Sequence, residues 1–317
     1  MNHEILQVID LKKYYGPVKA VDGVSFSIER GTTMGLVGES GCGKSTTGRM
    51  ALRLAGEKTG GQVIFDGQDI YALSPKALRR LRPKMQIIFQ DPFSSLPPRM
   101  RVGRIIGEGA LVHKLVPPQE LDAYVDSIME QCGLQRHHKN RYPHEFSGGQ
   151  RQRICIARAL AMQPEFIVCD EAVSALDVSV QAQIVNLLQE LQEEKGLSYL
   201  FISHDLSVVE HLCHKVGVMY LGKMVEYAPT EALFGEPLHP YTKALLSAIP
   251  VPDPDVKLNR SVLRGTLPSP ADPPAGCPFH TRCPHAQNRC EAEKPAWQEV
   301  KPGHFCACHL YNEKGTA

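Results

Sequence analysis

Residues 38–45 have the types and the spacing needed to hold the phosphates of a nucleotide. They read G-E-S-G-C-G-K-S, which fits the pattern G-x-x-x-x-G-K-[ST]. Glycines let backbone N–H groups converge on phosphate oxygens, and the N-terminus of a following helix adds partial positive charge. The Lys44 ammonium can reach the β- and γ-phosphates, and the Ser45 hydroxyl can coordinate Mg²⁺. The predicted nucleotide-binding residues are Gly38, Ser40, Gly41, Cys42, Gly43, Lys44, Ser45 and Thr46.

The segments on either side of this loop supply the elements that must position it. Residues 33–37 predict a short buried strand, and a helix is expected to follow the loop. That helix is expected to carry Met50, Leu52 and Leu54. It is expected to stop at Gly56. Because the motif functions only between a strand and a helix, a chance glycine-rich turn is the weaker interpretation.

A pair of carboxylates follows another apolar segment. Residues 166–169 form an apolar run that ends in Asp170 and Glu171. The carboxyl ends of buried parallel strands open onto the ligand crevice of an α/β sheet. Asp170 is therefore expected to hold Mg²⁺, directly or through water, and Glu171 to polarise the attacking water. Two solvated acids at a strand end are the alternative, which the upstream phosphate loop disfavours.

A third apolar strand, residues 197–203, ends at His204, which is expected to contact the γ-phosphate. The helix between these strands is predicted to close at Gly196. Its apolar face is formed by Ile184, Leu187, Leu188 and Leu191. A strand, loop and helix followed by a strand, helix and strand predict an α/β fold with a mostly parallel sheet.

Residues 147–150, S-G-G-Q, distinguish among the classes of protein that use a phosphate loop. Their glycines directly precede a helix, so they predict a second anion site at a helix N-terminus. Together with the phosphate loop, the carboxylate pair and the downstream histidine, this segment resembles the signature sequence of ABC-type ATPases. The resemblance spans residues 15–229 approximately. The signature residues are Ser147, Gly148, Gly149 and Gln150.

The resemblance implies a P-loop NTPase (ABC ATPase) core with a mostly parallel sheet, an antiparallel β edge and a helical subdomain. The helical subdomain falls at roughly residues 91–160 and is expected to dock on a membrane-spanning partner. In the family, two ATPase subunits meet head to tail, and the signature of each closes over the γ-phosphate held by the other. Closure requires ATP, and hydrolysis releases it.

Single residues match further family roles. Tyr15 matches the aromatic residue that stacks on adenine, whereas Tyr14 suits the core better, because stacking needs a partly exposed ring. Gln90 matches the glutamine that contacts Mg²⁺ or the attacking water. Asp177 matches the loop that crosses the dimer interface. The resemblance thus implies a catalytic set, Glu171, His204 and Gln90, and a Mg²⁺ set, Ser45, Gln90 and Asp170.

Three segments narrow the resemblance to one branch of the family. They read FQDPFSSLPPRMRVGRII, DEAVSALDVSVQAQIVNLL and EPLHPYTKALLSAIPVPDP. All three look like the ATPases of oligopeptide and dipeptide importers, a group that includes nickel and glutathione importers. Ala172 and Pro97 stand where this group usually has proline and asparagine, but neither change removes a group that does chemistry.

This branch implies an ATP-hydrolysing subunit that powers the uptake of peptides, with nickel, glutathione or another solute as alternative cargo. The implied partners are two transmembrane permease subunits, an extracytoplasmic solute-binding protein and a second ABC ATPase, more often a paralogue than a copy. The expected location is the cytoplasmic face of the inner or plasma membrane, with attachment through the permeases.

The composition bears on the other function classes. The chain has 317 residues and a formal net charge of +1, so no bulk attraction to nucleic acid is expected. Its start lacks the features of a signal peptide, and no apolar run approaches the roughly 20 residues of a membrane helix. The alternatives are a soluble ABC ATPase acting on ribosomes or DNA, and a regulatory or redox protein whose cysteine-rich tail is the main function.

Five of the ten cysteines lie in residues 277–308, beyond a proline-rich stretch that starts at Pro250. This change predicts an ABC ATPase domain at residues 1–250 and a small Cys/Pro-rich C-terminal domain at residues 251–317. The proline-rich stretch itself favours extended, polyproline-like chain. The tail is predicted to be structural or sensory rather than catalytic.

The spacing of the tail cysteines bears on what they hold. Zinc sites favour C-x2–4-C pairs, which this tail does not have, and disulfides are disfavoured in the cytoplasm. A [4Fe–4S] cluster takes four thiolates across loops of varied length, and the resembling importer ATPases share this cysteine pattern. Cys306 stands where they usually have valine, and zinc or no metal remain alternatives. The implied cluster ligands are Cys277, Cys283, Cys290 and Cys308.

Overall fold

The computed structural model describes residues 3–249 and 265–311, which divide into two units. The first unit comprises the chain up to Ile5 together with Ile28–Thr32 and Phe65–Ile202. The second comprises Leu6–Ser27, Thr33–Ile64 and the chain from Ser203 onward. The predicted domain boundary near residue 250, and the extended chain expected after it, lie outside the described residues.

The described chain is built of strands and helices, most of them short. The strands are β1 Glu4–Tyr15, β2 Val18–Glu29, β3 Thr33–Val37, β4 Gly60–Phe65, β5 Gln68–Asp69, β6 Met85–Ile88, β7 Phe166–Asp170, β8 Ser198–Ile202, β9 Lys215–Tyr220, β10 Lys223–Pro229, β11 Gln298–Lys301 and β12 His304–Cys306. The helices are α1 Lys44–Ala51, α2 Pro75–Leu81, α3 Pro92–Ser95, α4 Val102–Val112, α5 Leu121–Gln131, α6 Gly148–Leu160, α7 Val178–Lys195, α8 Leu206–Leu212, α9 Thr230–Gly235, α10 Pro240–Ser247 and α11 Asn288–Ala292.

The first unit contains three parallel strands in the order β6, β7, β8. Every residue of β7 and β8 is buried, as expected for parallel strands that are covered on both faces. Helices α4, α5 and α6 pack on one another within this unit, and they arise from the stretch predicted to be helical. The unit therefore combines a buried parallel sheet with a layer of helices.

The second unit contains strands in the order β11, β12, β10, β9, β3. The pair β3 and β9 is parallel, whereas β9 with β10, β10 with β12, and β12 with β11 are antiparallel. Strands β2, β1 and β4 are neighbours in a further sheet. The predicted α/β fold with parallel and antiparallel strands is confirmed. The two tail strands, β11 and β12, extend a sheet that begins with β3.

Most predicted elements appear where the apolar pattern placed them. The strand at 33–37 is β3, with all five residues buried. The apolar runs after residues 165 and 197 are β7 and β8. Helix α7 buries the predicted apolar face and ends at Gly196, whose φ of 65° lies in the left-handed region.

The predicted end of the helix after the phosphate loop is wrong. Helix α1 stops at Ala51 rather than at Gly56, and Leu54 lies beyond it. Arg53 adopts a φ of 51°, and its N–H donates to the Met50 carbonyl at 3.0 Å, while the Leu54 N–H donates to the Arg49 carbonyl at 2.7 Å. These bonds form a Schellman motif, which usually has glycine at the left-handed position. The sequence did not indicate this helix end, because arginine rather than glycine occupies the left-handed position.

Candidate functional site

The loop predicted to bind phosphates connects β3 to α1 within the second unit. Gly38 and Gly43 have φ values of 146° and 106°, where a side chain would be strained. A Cβ atom at Gly38 would collide with the Met219 carbonyl oxygen, and one at Gly43 with the Ala20 carbonyl oxygen. Both positions therefore require glycine, for backbone conformation and for space.

Lys44 is buried at the first residue of α1 and lies against the backbone of the loop. Its ammonium donates hydrogen bonds to the carbonyl oxygens of Gly38 at 2.8 Å and Glu39 at 3.1 Å. Ser45 and Thr46, the next residues of the helix, are partly exposed. A cation held by backbone carbonyls at a helix N-terminus is arranged to exchange those carbonyls for the oxygens of a phosphate.

Gln90 and Glu171 are brought together in the first unit. The amide Nε2 of Gln90 donates to Glu171 Oε2 at 2.9 Å. Asp170 is buried as the last residue of β7, and the Glu171 N–H donates to the Ile202 carbonyl at 3.0 Å. Glu171 has a φ of 51°, and a non-glycine residue in that region stores about 1–3 kcal/mol of strain, which is frequent at functional sites.

The signature residues form the N-terminal cap of α6. Ser147 Oγ accepts from the Gln150 N–H at 3.4 Å, and Gln150 Oε1 accepts from the Ser147 N–H at 3.1 Å. This reciprocal capping box fixes the first turn. Gly149 lies against α7, since a Cβ there would collide with Val180 Cγ1. The predicted helix therefore begins directly after Ser147, and Gly149 lies where α6 and α7 approach each other closely.

Asp177 caps α7, a role that the sequence reasoning missed. Its Oδ1 accepts from the Val180 N–H at 3.0 Å and from the Ser179 hydroxyl at 2.8 Å. These hydrogen bonds to the charged form hold the pKa of Asp177 below its ordinary value. The signal was present in the sequence, because an aspartate directly before a helical segment is a preferred N-cap.

The two neighbouring tyrosines differ in environment. Tyr15 is 50% exposed, and the Lys13 ammonium lies 4.8 Å from the centre of its ring. The Tyr14 hydroxyl donates to Asp22 Oδ1 at 2.6 Å, and this bond together with burial raises the pKa of Tyr14 to about 12. Tyr15 thus has the exposed ring face that stacking needs, whereas Tyr14 is tied to the protein. His204 is exposed.

Four tail cysteines line one cavity in the second unit. They are Cys277, Cys283, Cys290 and Cys308. Cys306 does not line it but lies fully buried in β12, packed with Leu238. Burial, reinforced by the neighbouring thiols, raises the pKa of Cys277 and of Cys308 to about 11. Within residues 3–249 and 265–311, no group of three or more His, Cys, Asp or Glu side chains is arranged to hold a metal ion.

A backbone hydrogen bond joins two of the cysteines that line this cavity. The Cys277 N–H donates to the Cys290 carbonyl at 2.8 Å. Gly276 has a φ of 63°, and a Cβ there would collide with that same carbonyl oxygen. The first and third cysteines are therefore held together by a close backbone approach that only glycine permits.

The tail also contacts the phosphate loop, which sequence reasoning missed. The Arg282 guanidinium binds the Glu39 carboxylate, and the Glu39 N–H donates to the Tyr241 hydroxyl at 2.8 Å. The two charged residues are 243 positions apart in the chain, so no local pattern could pair them.

Two known protein families match parts of this sequence. The ABC transporter family matches residues 21–174, and the oligopeptide/dipeptide transporter C-terminal region matches residues 225–290. The oligopeptide transport ATP-binding protein AppF of Bacillus subtilis is 54% identical over 322 residues, covering 97% of this chain and 98% of that protein. The chain belongs to the ABC transporter family of ATP-binding proteins. It is therefore an ATPase.

Other members of the ABC transporter family are similar to this chain in sequence or in structure. A putative peptide import ATP-binding protein of Brucella ovis is 55% identical over 308 residues, covering 96% of this chain and 97% of its own. The structure of cbiO1 from Clostridium perfringens, part of an ABC transporter complex, has a TM-score of 0.68 and 30% identity over 74% of this chain and 92% of its own. The cassette MJ0796, as a dimer bound to ADP and phosphate, has a TM-score of 0.65 and 25% identity over 71% and 98% of the respective chains.

No helix in the described part of this ABC subunit combines the length and the apolarity needed to cross a membrane.

Proposed function

We propose that this ABC ATPase drives the import of peptides by hydrolysing ATP beneath partner permeases. The observation that carries the proposal is the match of residues 225–290 to the C-terminal region of oligopeptide and dipeptide transporters. Relatives named for oligopeptide or peptide transport support it, because they align over nearly the whole chain at 52–55% identity. The chain is placed at the cytoplasmic face of the membrane by its permeases.

In the proposed nucleotide site, the loop from Gly38 to Thr46 wraps the phosphates of ATP and Tyr15 stacks on adenine. Lys44 exchanges its carbonyl partners for phosphate oxygens. Ser45, Gln90 and Asp170 would hold Mg²⁺, which would supply positive charge to offset that of the nucleotide phosphates.

The proposed chemistry centres on the carboxylate of Glu171. It accepts a proton from the attacking water, as a general base does. Gln90 fixes the orientation of that carboxylate through the 2.9 Å hydrogen bond. His204 contacts the γ-phosphate from the end of β8.

The proposed active form contains two ATPase subunits that meet head to tail. The capped N-terminus of α6, with Ser147, Gly148, Gly149 and Gln150, closes over the γ-phosphate bound by the partner. Asp177 lies in the segment that crosses to that partner. A paralogous ATPase, two permeases and an extracytoplasmic binding protein complete the proposed importer.

The assigned base can be tested in the purified transporter complex. We expect Glu171→Gln to retain the MgATP dissociation constant of the parent but to lower kcat by about 10²–10⁴-fold, the usual contribution of a general base. Glu193→Gln, on the exposed part of α7, is the matched control and should leave both quantities unchanged. If Glu171→Gln hydrolyses ATP at the parent rate, the proposed base is wrong.

The cargo can be tested with proteoliposomes that contain the complex and its binding protein. ATP-dependent uptake of labelled oligopeptides is the expected result, and the Glu171→Gln complex should show none. Uptake of nickel or glutathione, with no uptake of peptide, would contradict peptide import while leaving the ATPase assignment intact.

We also propose that the cysteine-lined cavity holds an iron–sulfur cluster of the [4Fe–4S] type. Four thiols face one cavity, which is the ligand number that such clusters need. The cluster would be held by Cys277, Cys283, Cys290 and Cys308, and thiolate binding would neutralise its positive charge.

Anaerobic purification tests this cluster without any activity measurement. We expect stoichiometric iron and the visible absorption of a cluster in the parent, and loss of both in Cys283→Ser. Cys306→Ser is the matched control and should retain both. An anaerobic preparation that contains zinc, or no metal, would contradict the cluster.

A further inference from the structure

One ion pair joins the cysteine-rich tail to the phosphate-binding loop. Arg282 ends a 3₁₀ turn, His280–Arg282, that lies between Cys277 and Cys283. Its Nη1 donates to Glu39 Oε2 at 2.6 Å, and its Nη2 donates to Glu39 Oε1 at 2.9 Å. Such a two-pronged pair fixes the orientation of both groups as well as their distance.

The pair is partly shielded from solvent. The Arg282 side chain is 6% exposed and the Glu39 side chain 26%. Ion pairs in such positions are screened less by salt than pairs on the open surface, and their loss leaves a charge with poor hydration. Loss of this contact should therefore cost more free energy than loss of an exposed ion pair elsewhere in the chain.

Glu39 transmits this contact to Lys44 through its own backbone. The Glu39 carbonyl accepts a hydrogen bond from the Lys44 ammonium, and the Glu39 N–H donates to the Tyr241 hydroxyl. The side chain, N–H and carbonyl of one loop residue thus contact the tail, α10 and the phosphate-binding lysine. Displacing the carboxylate would move the peptide group that orients Lys44.

An aromatic cluster supports the arginine from the other side. The rings of Tyr220, Tyr241 and Phe279 are packed with their centres 4.8–5.4 Å apart. The Arg282 guanidinium carbon lies 6.0 Å from the centre of the Tyr220 ring. Phe279 and Cys277 also line the cysteine cavity. The same short segment therefore forms the cavity wall and presents Arg282 to the loop.

We propose that Arg282 is a positioning residue that holds the phosphate-binding loop, through Glu39, in the conformation that binds nucleotide phosphates. The tail acts on ATP binding without contacting the nucleotide. This inference rests on the proposed role of the loop around Lys44.

The test is the affinity of the full-length chain for MgADP, measured by titration calorimetry. We expect Arg282→Gln and Glu39→Gln each to weaken binding about 10-fold, equivalent to about 1.4 kcal/mol. The double variant should bind no more weakly than either single variant, because both remove the same pair. Arg282→Lys should lie between, since lysine keeps the charge but not the two-pronged geometry.

Arg289→Gln is the matched control within the tail. Arg289 donates to the His309 carbonyl and to Gln287, so its loss perturbs the tail without removing the contact to Glu39. We expect parent affinity for MgADP in this variant. In the assembled transporter, the KM for MgATP should rise in Arg282→Gln by about the same factor as the dissociation constant, and should not change in Arg289→Gln.

Three results would overturn the inference. The first is parent affinity in a folded Arg282→Gln chain, or in Glu39→Gln if the first variant does not fold. The second is a double variant about 100-fold weaker than the parent, which would mean that the two residues act independently. The third is parent affinity in Lys44→Ala, which would refute the loop as the nucleotide site and this proposal with it.

Discussion

A buried carboxylate, Glu226, is one of the groups that tie the tail to the rest of the second unit. It lies in β10 with no exposed surface. Its Oε1 accepts from the Leu238 N–H and from His304 Nε2, both at 2.7 Å, and its Oε2 accepts from the His239 N–H at 2.9 Å. His304 belongs to β12, which pairs with β10. We therefore expect Glu226 to control the docking of the tail.

The cost of removing this carboxylate follows from its partners. Glu226→Ala leaves three buried donors without their acceptor, and an unsatisfied buried group costs about 1–3 kcal/mol. Relaxation prevents simple addition, so we expect a loss of about 3–5 kcal/mol, as for other broken buried charge pairs. Glu226→Gln keeps one acceptor oxygen but turns an amide N–H₂ group toward a donor. It should lose about 1–3 kcal/mol.

The chain's one tryptophan, Trp297, provides the assay. It stacks on Phe305 of β12, with ring centres 6.0 Å apart and planes at 11°. The Phe305 ring in turn lies 6.4 Å from that of Tyr227 in β10, so the fluorescence of Trp297 should respond when β12 separates from β10. In urea titrations with a slope of about 2 kcal/mol per M, we expect the midpoint of Glu226→Ala to fall by about 2 M. Far-UV circular dichroism in the same samples reports on the rest of the chain.

Glu236→Gln is the matched control for this experiment. Glu236 is an exposed glutamate that pairs with Lys301 of β11, so it contacts the tail from the surface, and its loss should leave the midpoint unchanged. The reasoning is refuted if Glu226→Ala has the parent midpoint. It is also refuted if Glu236→Gln lowers the midpoint as much as Glu226→Ala does.

Burial lowers the pKa of His239 to about 4 from an ordinary 6.5, so the unfolded chain takes up a proton first. The free energy of unfolding should have its full value above about pH 6.5 and should fall by up to about 3 kcal/mol toward pH 4. Urea titrations over this pH range should show a smaller fall in His239→Gln than in the parent, and an equal fall would contradict this reasoning. Gly38→Ala, which collides with a backbone carbonyl, should weaken MgADP binding at least ~10-fold in calorimetry. Gly235→Ala is the control, because a Cβ there would lie in open space, and it should keep the parent affinity. Equal affinities of the Gly38→Ala and Gly235→Ala chains for MgADP would refute the steric argument. Gly149→Ala should destabilise the chain by about 1–3 kcal/mol, because the added methyl group overpacks the contact with Val180. Adding Val180→Ala should restore the thermal midpoint, and a midpoint that stays low in the double variant would show that this contact is not the cause.

The elements that position the site were predictable because their signals are local. The strands that end at Val37 and Asp170 are apolar runs long enough only for strands, and the phosphate loop follows the first of them. The end of α1 was not predictable, because Arg53 occupies a left-handed position that composition assigns to glycine. A helix end of this kind depends on backbone hydrogen bonds that side-chain periodicity does not encode.

The contacts between the tail and the ATPase segments were not predictable for a different reason. Glu39 with Arg282, and Glu226 with His304, are far apart in the chain. Each residue taken alone resembles an ordinary surface charge, and only the fold reveals that both pairs are shielded. Composition made the tail look separable from the ATPase, since its proline and cysteine contents differ so strongly from the rest.

These contacts decide how the function of the tail can be tested. Truncating the tail would remove β12 from β10, the histidine partner of Glu226 and the arginine partner of Glu39 at once. A truncated chain that lost ATP binding would therefore say nothing about the cysteine cavity. Single substitutions separate the effects, because Cys283→Ser alters the cavity while leaving Arg282 and His304 in the chain. If Cys283→Ser weakens MgADP binding as much as Arg282→Gln does, the cavity and the phosphate loop are coupled through the segment that joins them.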